Sequence, residues 1–348
     1  MLCRNTRFTL CSSAALLLLA GCGGGGSQTS NSALPAISQA QQVRQAASSV
    51  RFTNWIADGR TGLPASFRGL LVGPPQKSPG WLSEDAKSGS AKVYVSDAEL
   101  GEVLIYNAAK PTAPIGTITN GISEPLGNFV DASGNLYVAN IGSNTVTVYP
   151  KGKTAPSMTY SSGLSGPIGV AVGSDGTVYV PEFETGAVVE YYKGKTKPSL
   201  TLAVPDAEGV ALDAKNNLYV SFNDPSTGEG AVEEFAPKKK TGTNLGITVE
   251  FAGDVKLNKK GDLLLEDQDA QAVDFYKPKA KSPYGSISAS GFDTYKEALN
   301  AAETELYIAT VSDEVDIFDA VPSGKNVGAI TSGLEEVTGV SLSPAAPL

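Results

Sequence analysis

The chain has 348 residues, of which 41% are hydrophobic and 18% charged, and this composition excludes a largely disordered protein. The net charge is −9 and there is no histidine, which excludes histidine-based acid–base catalysis, Ser-His triads and histidine-bound zinc. All three cysteines lie within the first 22 residues, so the rest of the chain has neither a disulfide nor a cysteine nucleophile.

Residues 1–22 are predicted to form an export signal. Arg4 and Arg7 precede an apolar run at 14–20, which is too short to span a bilayer. The run ends in Leu-Ala-Gly-Cys, which resembles the lipobox of bacterial lipoproteins. That resemblance implies cleavage before Cys22 and acylation of this residue, and hence a lipid anchor in the cell envelope, at the outer membrane in a diderm bacterium. The alternative is a secretory signal with an incidental cysteine.

Residues 23–90 are predicted to form a flexible tether and an N-terminal extension. The tether is the Gly/Ser-rich sequence GGGGSQTSNSALP, which directly follows Cys22. Residues 36–50 contain good helix formers after a proline, so a short helix is expected there. Trp55 and Trp81 are expected to pack against the folded domain rather than to bind a ligand.

A sequence repeat extends from residue 91 to the end of the chain. Each unit contains a motif such as KVYVSD or NLYVAN, and the central motif residues lie 40 to 45 positions apart: Tyr94, Tyr137, Tyr179, Tyr219, Leu264 and Tyr307. Each unit divides into four short strands, A to D, joined by turns rich in Gly and Asn. This pattern predicts an all-β fold over residues 91–348, a six-bladed β-propeller of four-stranded antiparallel blades.

The order of the strands predicts how the ring closes. The first unit begins with strand B, at residues 92–97, and no strand A precedes it. An unpartnered strand A, GVSLS, lies at residues 339–343. We therefore expect the C-terminal strand to complete the first blade and to cover both sheet edges.

The repeat also resembles known families. The pattern P-x-G-V-A-V, followed by G-x-V-Y-V and V-x-x-Y, is similar to NHL-repeat and related six-bladed propellers, including the regucalcin/gluconolactonase-like group. The resemblance covers residues 92–348. In the gluconolactonase-like group, Glu, Asn and Asp at the channel mouth hold a divalent ion, so the resemblance implies a metal-dependent lactonase or hydrolase as one candidate. The repeated tyrosines are expected to pack between neighbouring blades.

Acidic residues near the start of the A strands are candidates for an acidic ligand site or metal site at the channel mouth: Glu124, Glu208, Asp254, Glu297 and Glu336. Their oxygens suit Ca²⁺ or another divalent cation, and Glu208, Asp254 and Glu297 are the candidate metal ligands. The third blade supplies no such acid, and the histidines on which the propeller lyases rely are missing. The alternative is that these acids are solvated loop residues. No catalytic residue and no resident cofactor is assigned.

The two faces of the propeller are predicted to carry opposite charges. We call the face with the A–B and C–D turns the lysine face, and the face with the B–C turns and D–A connections the acidic face. The C–D turns carry only basic charges: Lys110, Lys151, Lys153, Lys193, Lys195, Lys197, Lys238, Lys239, Lys240, Lys277, Lys279, Lys281 and Lys325. Besides the five candidates, the acidic face carries Asp97, Glu99, Glu102, Glu182, Glu184, Asp206, Asp224, Glu229, Glu266, Asp267, Asp269, Asp293, Asp313, Glu314 and Glu335. The alternative is a solvated surface without a specific role.

These observations predict a non-catalytic binding or scaffold propeller that is tethered to a membrane through Cys22. The tether is expected to reach the first blade from the lysine face, which would lie toward anionic lipid head groups. The acidic face would then be presented to a protein or a cationic ligand such as Ca²⁺. Nucleic-acid binding is disfavoured, and a monomer is expected. The alternative function is a divalent-metal-dependent lactonase or hydrolase.

Overall fold

A computed structural model of the chain describes residues 79–288, 294–310, 313–320, 322 and 324–344. The predicted export signal, Cys22, the tether and Trp55 lie outside the described residues, as does Asp293. The described chain consists of β-strands joined by turns, with one short α-helix in these ranges, α1 (Glu84–Lys87), and one 3₁₀ turn, Ile141–Ser143. Within the same ranges, no helix combines the length and the apolar character needed to cross a membrane.

The strands form six antiparallel sheets, which confirms the predicted six-bladed β-propeller. Blade 1 contains β1 (Trp81–Leu82), β2 (Lys92–Asp97), β3 (Glu102–Asn107), β4 (Gly116–Ile118) and β25 (Val337–Ser343), and blade 2 contains β5 (Pro125–Val130), β6 (Leu136–Asn140), β7 (Thr145–Tyr149) and β8 (Met158–Tyr160). Blade 3 contains β9 (Ala171–Val172), β10 (Val178–Glu182), β11 (Ala187–Tyr191) and β12 (Leu200–Ala203), and blade 4 contains β13 (Ala207–Leu212), β14 (Leu218–Asn223), β15 (Gly230–Phe235) and β16 (Thr243–Asn244). Blade 5 contains β17 (Ala252–Leu257), β18 (Leu263–Asp267), β19 (Ala272–Tyr276) and β20 (Gly285–Ser288), and blade 6 contains β21 (Thr294–Leu299), β22 (Glu305–Thr310), β23 (Glu314–Asp319) and β24 (Asn326–Ile330).

The hydrophobic core lies between the blades. The B strands are rich in β-branched and aromatic residues, which favour strands, and all six residues of β2 are buried because sheets pack on both sides of it. Tyr94 of blade 1 packs with Val130 and Leu136 of blade 2. Tyr179 of blade 3 packs in the same way with Val210 of blade 4. The expected role of the motif tyrosines in packing between blades is confirmed.

The C-terminal strand closes the ring, as predicted. β25 pairs antiparallel with β2, and Val340 lies opposite Val95 while Ser341 lies opposite Tyr94. Residues of both strands share one core cluster with Tyr307 of blade 6. The inner strand of blade 1 therefore comes from the end of the chain, and it joins the first and last blades.

The first described strand, β1, enters blade 1 from a different side than predicted. β1 runs antiparallel to β4, the D strand of blade 1, with Trp81 opposite Thr117. Because D strands run toward the acidic face, the chain at residues 79–80 approaches blade 1 from that side and not from the lysine face. The sequence did not reveal β1 because it is two residues long. Trp81 lies on this outer strand and is 46% exposed, so its packing against the domain is only partial.

The D strand of blade 4 does not lie where the apolar alternation of the sequence indicates. Residues 247–251, ITVEF, have the alternating pattern of a strand, but the D strand is β16, and only Val249 of this segment makes an isolated bridge, to Gly230. Gly246 has φ +70° and separates the two segments. Ile247 and Val249 pack with the core of blade 5. Their apolar pattern therefore reflects burial between blades rather than a place in the sheet.

Candidate functional site

A channel runs between the six A strands and contains a cavity of about 100 Å³. Its wall is mostly small and apolar, and its polar side chains are Asn128, Asp254, Lys256, Lys296 and Ser341. A cavity of this size holds several water molecules, and it is well below the several hundred Å³ of a pocket for a drug-sized ligand. The channel itself is therefore suited to water or to the tip of a larger ligand.

A glycine recurs where the A strands converge around the channel. Four A strands have it two residues before the position that pairs with the motif tyrosine: Gly127, Gly169, Gly209 and Gly339. A Cβ on Gly127 would lie 2.8 Å from the carbonyl oxygen of Ile168 in the next blade. The N–H of Gly127 donates to that same oxygen at 3.0 Å. The repeat therefore calls for glycine at this position, because the backbones of neighbouring blades meet there.

Blades 5 and 6 carry charges in place of this glycine, Asp254 and Lys296. Nearby positions depart from the repeat in the same way. Lys256, for example, takes the position of Ala171 and Ala211 in blades 3 and 4. Six charged residues on blades 4 to 6 stand where most blades have small or apolar residues, and we call them the channel cluster: Glu208, Asp254, Lys256, Glu266, Lys296 and Glu297.

Direct contacts join the members of the channel cluster. The Lys256 ammonium group forms an ion pair with the carboxylate of Asp254. Lys296 extends from blade 6 to blade 4, where its Nζ donates to the carbonyl oxygen of Glu208 at 2.9 Å. Glu266 accepts a hydrogen bond from the N–H of Asp254 at 2.9 Å. Gly253 makes this last contact possible, because a Cβ there would lie 2.1 Å from the Glu266 carboxylate.

Carboxyl groups of the cluster are buried with unused hydrogen-bonding capacity. Glu297 is 0% exposed, and neither of its oxygens has a hydrogen-bond partner; Oε1 of Glu208 also lacks one. Burial, together with the neighbouring Asp206, raises the pKa of Glu208 to about 8, although Lys296 opposes this shift. Burial and the charge of Asp254 raise the pKa of Glu297 well above its ordinary value. Burial therefore favours the protonated form of both groups, and an approaching positive charge opposes this effect.

The lysine on blade 5 remains charged. Burial alone would lower the pKa of Lys256, but the carboxylates of Asp254 and Glu297 outweigh burial and raise it. The cluster gains negative charge when its buried carboxyls release their protons.

The structure brings three of the five predicted acids together and places the other two elsewhere. Glu208, Asp254 and Glu297 belong to the cluster. The side chain of Glu124 packs against Gly142 in the B–C turn of blade 2, outside the cavity lining. The N–H of Glu336 donates to Asp97 at 3.3 Å, also outside the cavity.

The sequence pattern predicts Glu266 only as one of the acids of the acidic face, and it does not indicate either lysine of the cluster. Lys256, Lys296 and Glu266 lie inside strands and not in the loops that lead into the A strands. A comparison of equivalent repeat positions would have found them. At the position of Glu266, the other blades have Ser96, Ala139, Pro181, Ser221 and Ala309.

Several acids assigned to the acidic face instead hold the fold together. The last residue of each B strand is polar in all six blades, and in blades 1, 2, 3 and 5 it accepts hydrogen bonds from the connection that leads into strand A. Asp97 accepts hydrogen bonds from the N–H groups of Leu100, Glu335 and Glu336. Glu182 and Asp267 occupy the same position, and each accepts from backbone N–H groups. These three carboxylates are buried, so the exposed negative charge of this face is smaller than the sequence suggests.

The channel cluster does not fit a divalent metal ion. Two of its six members are lysines, and one of them already pairs with Asp254. Among the described residues, no group of three or more acidic or cysteine side chains is arranged to hold a metal ion. Hard cations prefer six to eight oxygen ligands, so ammonium groups at this position oppose binding.

The architecture defines the protein as a six-bladed β-propeller. No family model and no curated protein matches the chain. Solved structures do: a functionally unknown protein from Desulfotomaculum acetoxidans has a TM-score of 0.53 at 18% identity, with 74% of this chain and 99% of that chain covered. Hydrazine synthase from Kuenenia stuttgartiensis has a TM-score of 0.52 at 16% identity, covering 72% of this chain and 78% of that one. A protein of unknown function from Bacteroides caccae has a TM-score of 0.51 at 13% identity, covering 73% and 98%. These likenesses concern the fold alone.

Proposed function

We propose that this protein is a non-catalytic binding propeller of the cell envelope, anchored by lipid on Cys22, whose acidic face and channel cluster receive a positively charged partner. The observation that carries the proposal is the channel cluster. Six charged residues depart from the repeat on three consecutive blades, and they meet at the end of the A strands nearest the acidic face. Residues that break the local rules of a fold without stabilising it are typical of functional sites.

The charge of the loops around the cluster favours a cationic partner. The B–C turns and D–A connections together contain twelve acids and no lysine or arginine. Glu99, Glu229 and Asp269 are exposed among them. A recess surrounded by charges of one sign concentrates ions of the other sign and speeds their association. A bound cation would also favour release of the protons on Glu208 and Glu297, which would strengthen the attraction.

Catalysis finds less support. Resemblance to the gluconolactonase-like propellers suggests a metal-dependent hydrolase, but the lysines of the cluster oppose a divalent ion. The chain has no histidine to act as a base. The cavity of about 100 Å³ is also small for a substrate. We therefore favour binding over hydrolysis.

The test is a titration of the full chain with a labelled oligolysine peptide at low salt. Glu99→Gln with Asp269→Asn is expected to weaken binding by about ten-fold, because two exposed charges are lost near the recess. Glu84→Gln with Glu303→Gln removes two acids near the lysine face and serves as the matched control. Equal losses in the two pairs, or no preference for oligolysine over a neutral peptide, would refute the proposal.

Two further measurements separate the remaining parts of the proposal. Stoichiometric Ca²⁺ uptake that is abolished by Asp254→Ala would favour the hydrolase instead. Cys22→Ser is expected to move the protein from the membrane fraction to the soluble fraction of the producing cell. Retention in the membrane fraction would contradict the lipid anchor and leave the binding test unaffected.

A further inference from the structure

Four consecutive C–D turns, in blades 2 to 5, form a dense basic surface that the proposed function does not use. Their lysines are all exposed, and we call them the lysine arc: Lys151, Lys153, Lys193, Lys195, Lys197, Lys238, Lys239, Lys240, Lys277, Lys279 and Lys281. The C–D turns of blades 1 and 6 carry one lysine each, Lys110 and Lys325. The basic charge is therefore concentrated on one side of the lysine face.

The four turns share one backbone conformation. In each of them the residue at the third position has a positive φ, and the N–H of the fourth donates to the carbonyl oxygen of the first at 2.8 to 3.0 Å. This is a type II turn, which normally has glycine at its third position. Blades 2 and 3 have Gly152 and Gly194 there, whereas blades 4 and 5 have Lys238, at φ +63°, and Lys279, at φ +66°.

Lysine is an unfavourable choice at these two positions. A left-handed backbone strains a residue with a long side chain, and neither lysine makes a described hydrogen bond or ion pair that offsets this strain. Lys238 lies over the Tyr192 ring at 5.5 Å, which joins the turns of blades 3 and 4, and Lys279 makes no described polar contact. The strained lysines add positive charge where the repeat itself provides a neutral glycine.

Aromatic rings lie among the lysines. Lys277 is 4.0 Å from the centre of the Tyr284 ring, and Tyr284 is 43% exposed. Tyrosine is an amphipathic residue that favours the boundary between water and lipid head groups. Lys277 also pairs with Asp262 at 3.0 Å, so its charge is partly neutralised.

The acids on the same part of the lysine face are few and already engaged. The A–B turns of blades 2 to 5 contain Asp131, Asp175, Asp213 and Asp262. Asp131 accepts from the N–H groups of Ser133 and Asn135, and the others are likewise bonded within their turns or to Lys277. Eleven arc lysines therefore lie beside only four acids, and this part of the lysine face keeps an excess of positive charge.

We propose that the lysine arc docks the protein on an anionic lipid surface. The lysines are spread over four separate turns, so a small anion contacts at most one or two of them, whereas a sheet of lipid phosphates contacts all of them. Flexible lysines act as point charges, each adding to the attraction of a charged bilayer without a fixed geometry. The inference uses residues remote from the channel cluster, and it shares with the proposed function only the expected presence of a membrane.

The test compares the full chain carrying Cys22→Ser on vesicles of phosphatidylcholine alone and of phosphatidylcholine with an equal part of phosphatidylglycerol. Any binding through the apolar segment at 14–20 is common to both lipids and to all variants. Lys238→Gly with Lys279→Gly is expected to weaken binding to the anionic vesicles by about thirty-fold, while the melting temperature does not fall. Lys110→Gly with Lys325→Gly changes the net charge equally and is expected to weaken binding much less.

A reciprocal variant is expected to increase the affinity for anionic vesicles. A Cβ at Gly152 would meet nothing within 4 Å, so Gly152→Lys adds a charge to the arc without a clash and is expected to strengthen binding several-fold. Equal affinity for both vesicles, or equal losses in the two lysine pairs, would overturn the inference. Release by inorganic phosphate, but not by chloride at the same ionic strength, would show a site for free phosphate and would overturn it as well.

Discussion

Lys296 and Glu208 connect blades 4 and 6 across the channel: the Lys296 ammonium donates to the Glu208 carbonyl oxygen at 2.9 Å, although 88 residues separate them. Replacing Lys296 by methionine keeps the length of the side chain and removes the charge. The buried carboxylates nearby then lose the positive charge that offsets their own, so we expect the free energy of unfolding to fall by about 3 kcal/mol. Chemical denaturation measures this loss, and Lys215→Met, at an exposed turn, is the control. A loss no greater than that of the control would contradict the role of Lys296.

Glu297 is expected to reduce stability in the unliganded protein. Its position in strand A is occupied by valine in several blades, including Val210, Val255 and Val340. Glu297→Val restores that pattern and removes a buried carboxyl without hydrogen bonds, so we expect a gain of about 1–4 kcal/mol in the free energy of unfolding. If the variant proves less stable than the natural protein, Glu297 has a structural partner that the described contacts do not include.

Stability is expected to fall as the pH rises through neutrality. Glu208 has a pKa of about 8 in the folded chain, which is above its ordinary value, so the folded state binds the proton more tightly than the unfolded state. Its contribution is present at acidic pH and is lost between about pH 4.5 and pH 8. Denaturation at both ends of this window should show the decline, and Glu208→Gln should reduce it. An unchanged slope in Glu208→Gln would assign the dependence to other groups, such as Asp97, whose burial raises its pKa to about 7.

The two left-handed lysines give a prediction for stability apart from binding. Lys238→Gly and Lys279→Gly remove strain but increase the freedom of the unfolded chain, so each is expected to change stability by between zero and about +1 kcal/mol. Lys239→Gly lies in the same turn, where φ is not positive, and is expected to lose up to about 1 kcal/mol. Thermal unfolding of the three variants measures the difference. A loss in Lys238→Gly equal to that in Lys239→Gly would show that the left-handed turn is not strained.

The pairing of β25 with β2 predicts a sharp effect of truncation. A chain that ends at Glu336 lacks the inner strand of blade 1, exposes the edge of β2 and removes Val340 and Leu342 from the core. We expect cooperative unfolding to disappear, as followed by circular dichroism and calorimetry. A chain that ends at Pro344 keeps β25 and is the control. Cooperative unfolding of the shorter chain would mean that the other five blades are sufficient.

The fold could be predicted from the sequence because it depends on a pattern that recurs six times. The period, the motif tyrosines and the unpaired GVSLS strand define the blades and their closure without any tertiary information. β1 and the D strand of blade 4 could not be predicted in the same way. β1 is only two residues long. In ITVEF, alternate residues are buried between blades, and this alternation looks the same in the sequence as that of a strand.

The site was only partly predictable, because its residues stand out only when they are compared with the small or apolar residues at the equivalent positions of the other blades. Glu208, Asp254 and Glu297 lie near the ends of loops, where acids are ordinarily sought. Lys256 and Lys296 lie inside strands, and their meaning emerges only when equivalent positions of all blades are superimposed. The sequence also could not show that Asp97 and Asp267 hold loops in place, because the residue type alone does not distinguish a buried, hydrogen-bonded carboxylate from one that faces solvent.

The donation of the inner strand of blade 1 by β25 places a condition on biosynthesis. Blade 1 contains the first strands of the propeller to leave the ribosome, but it remains incomplete until β25 has been made. The ring therefore cannot close before β25 is available, and until then the edge of β2 is open.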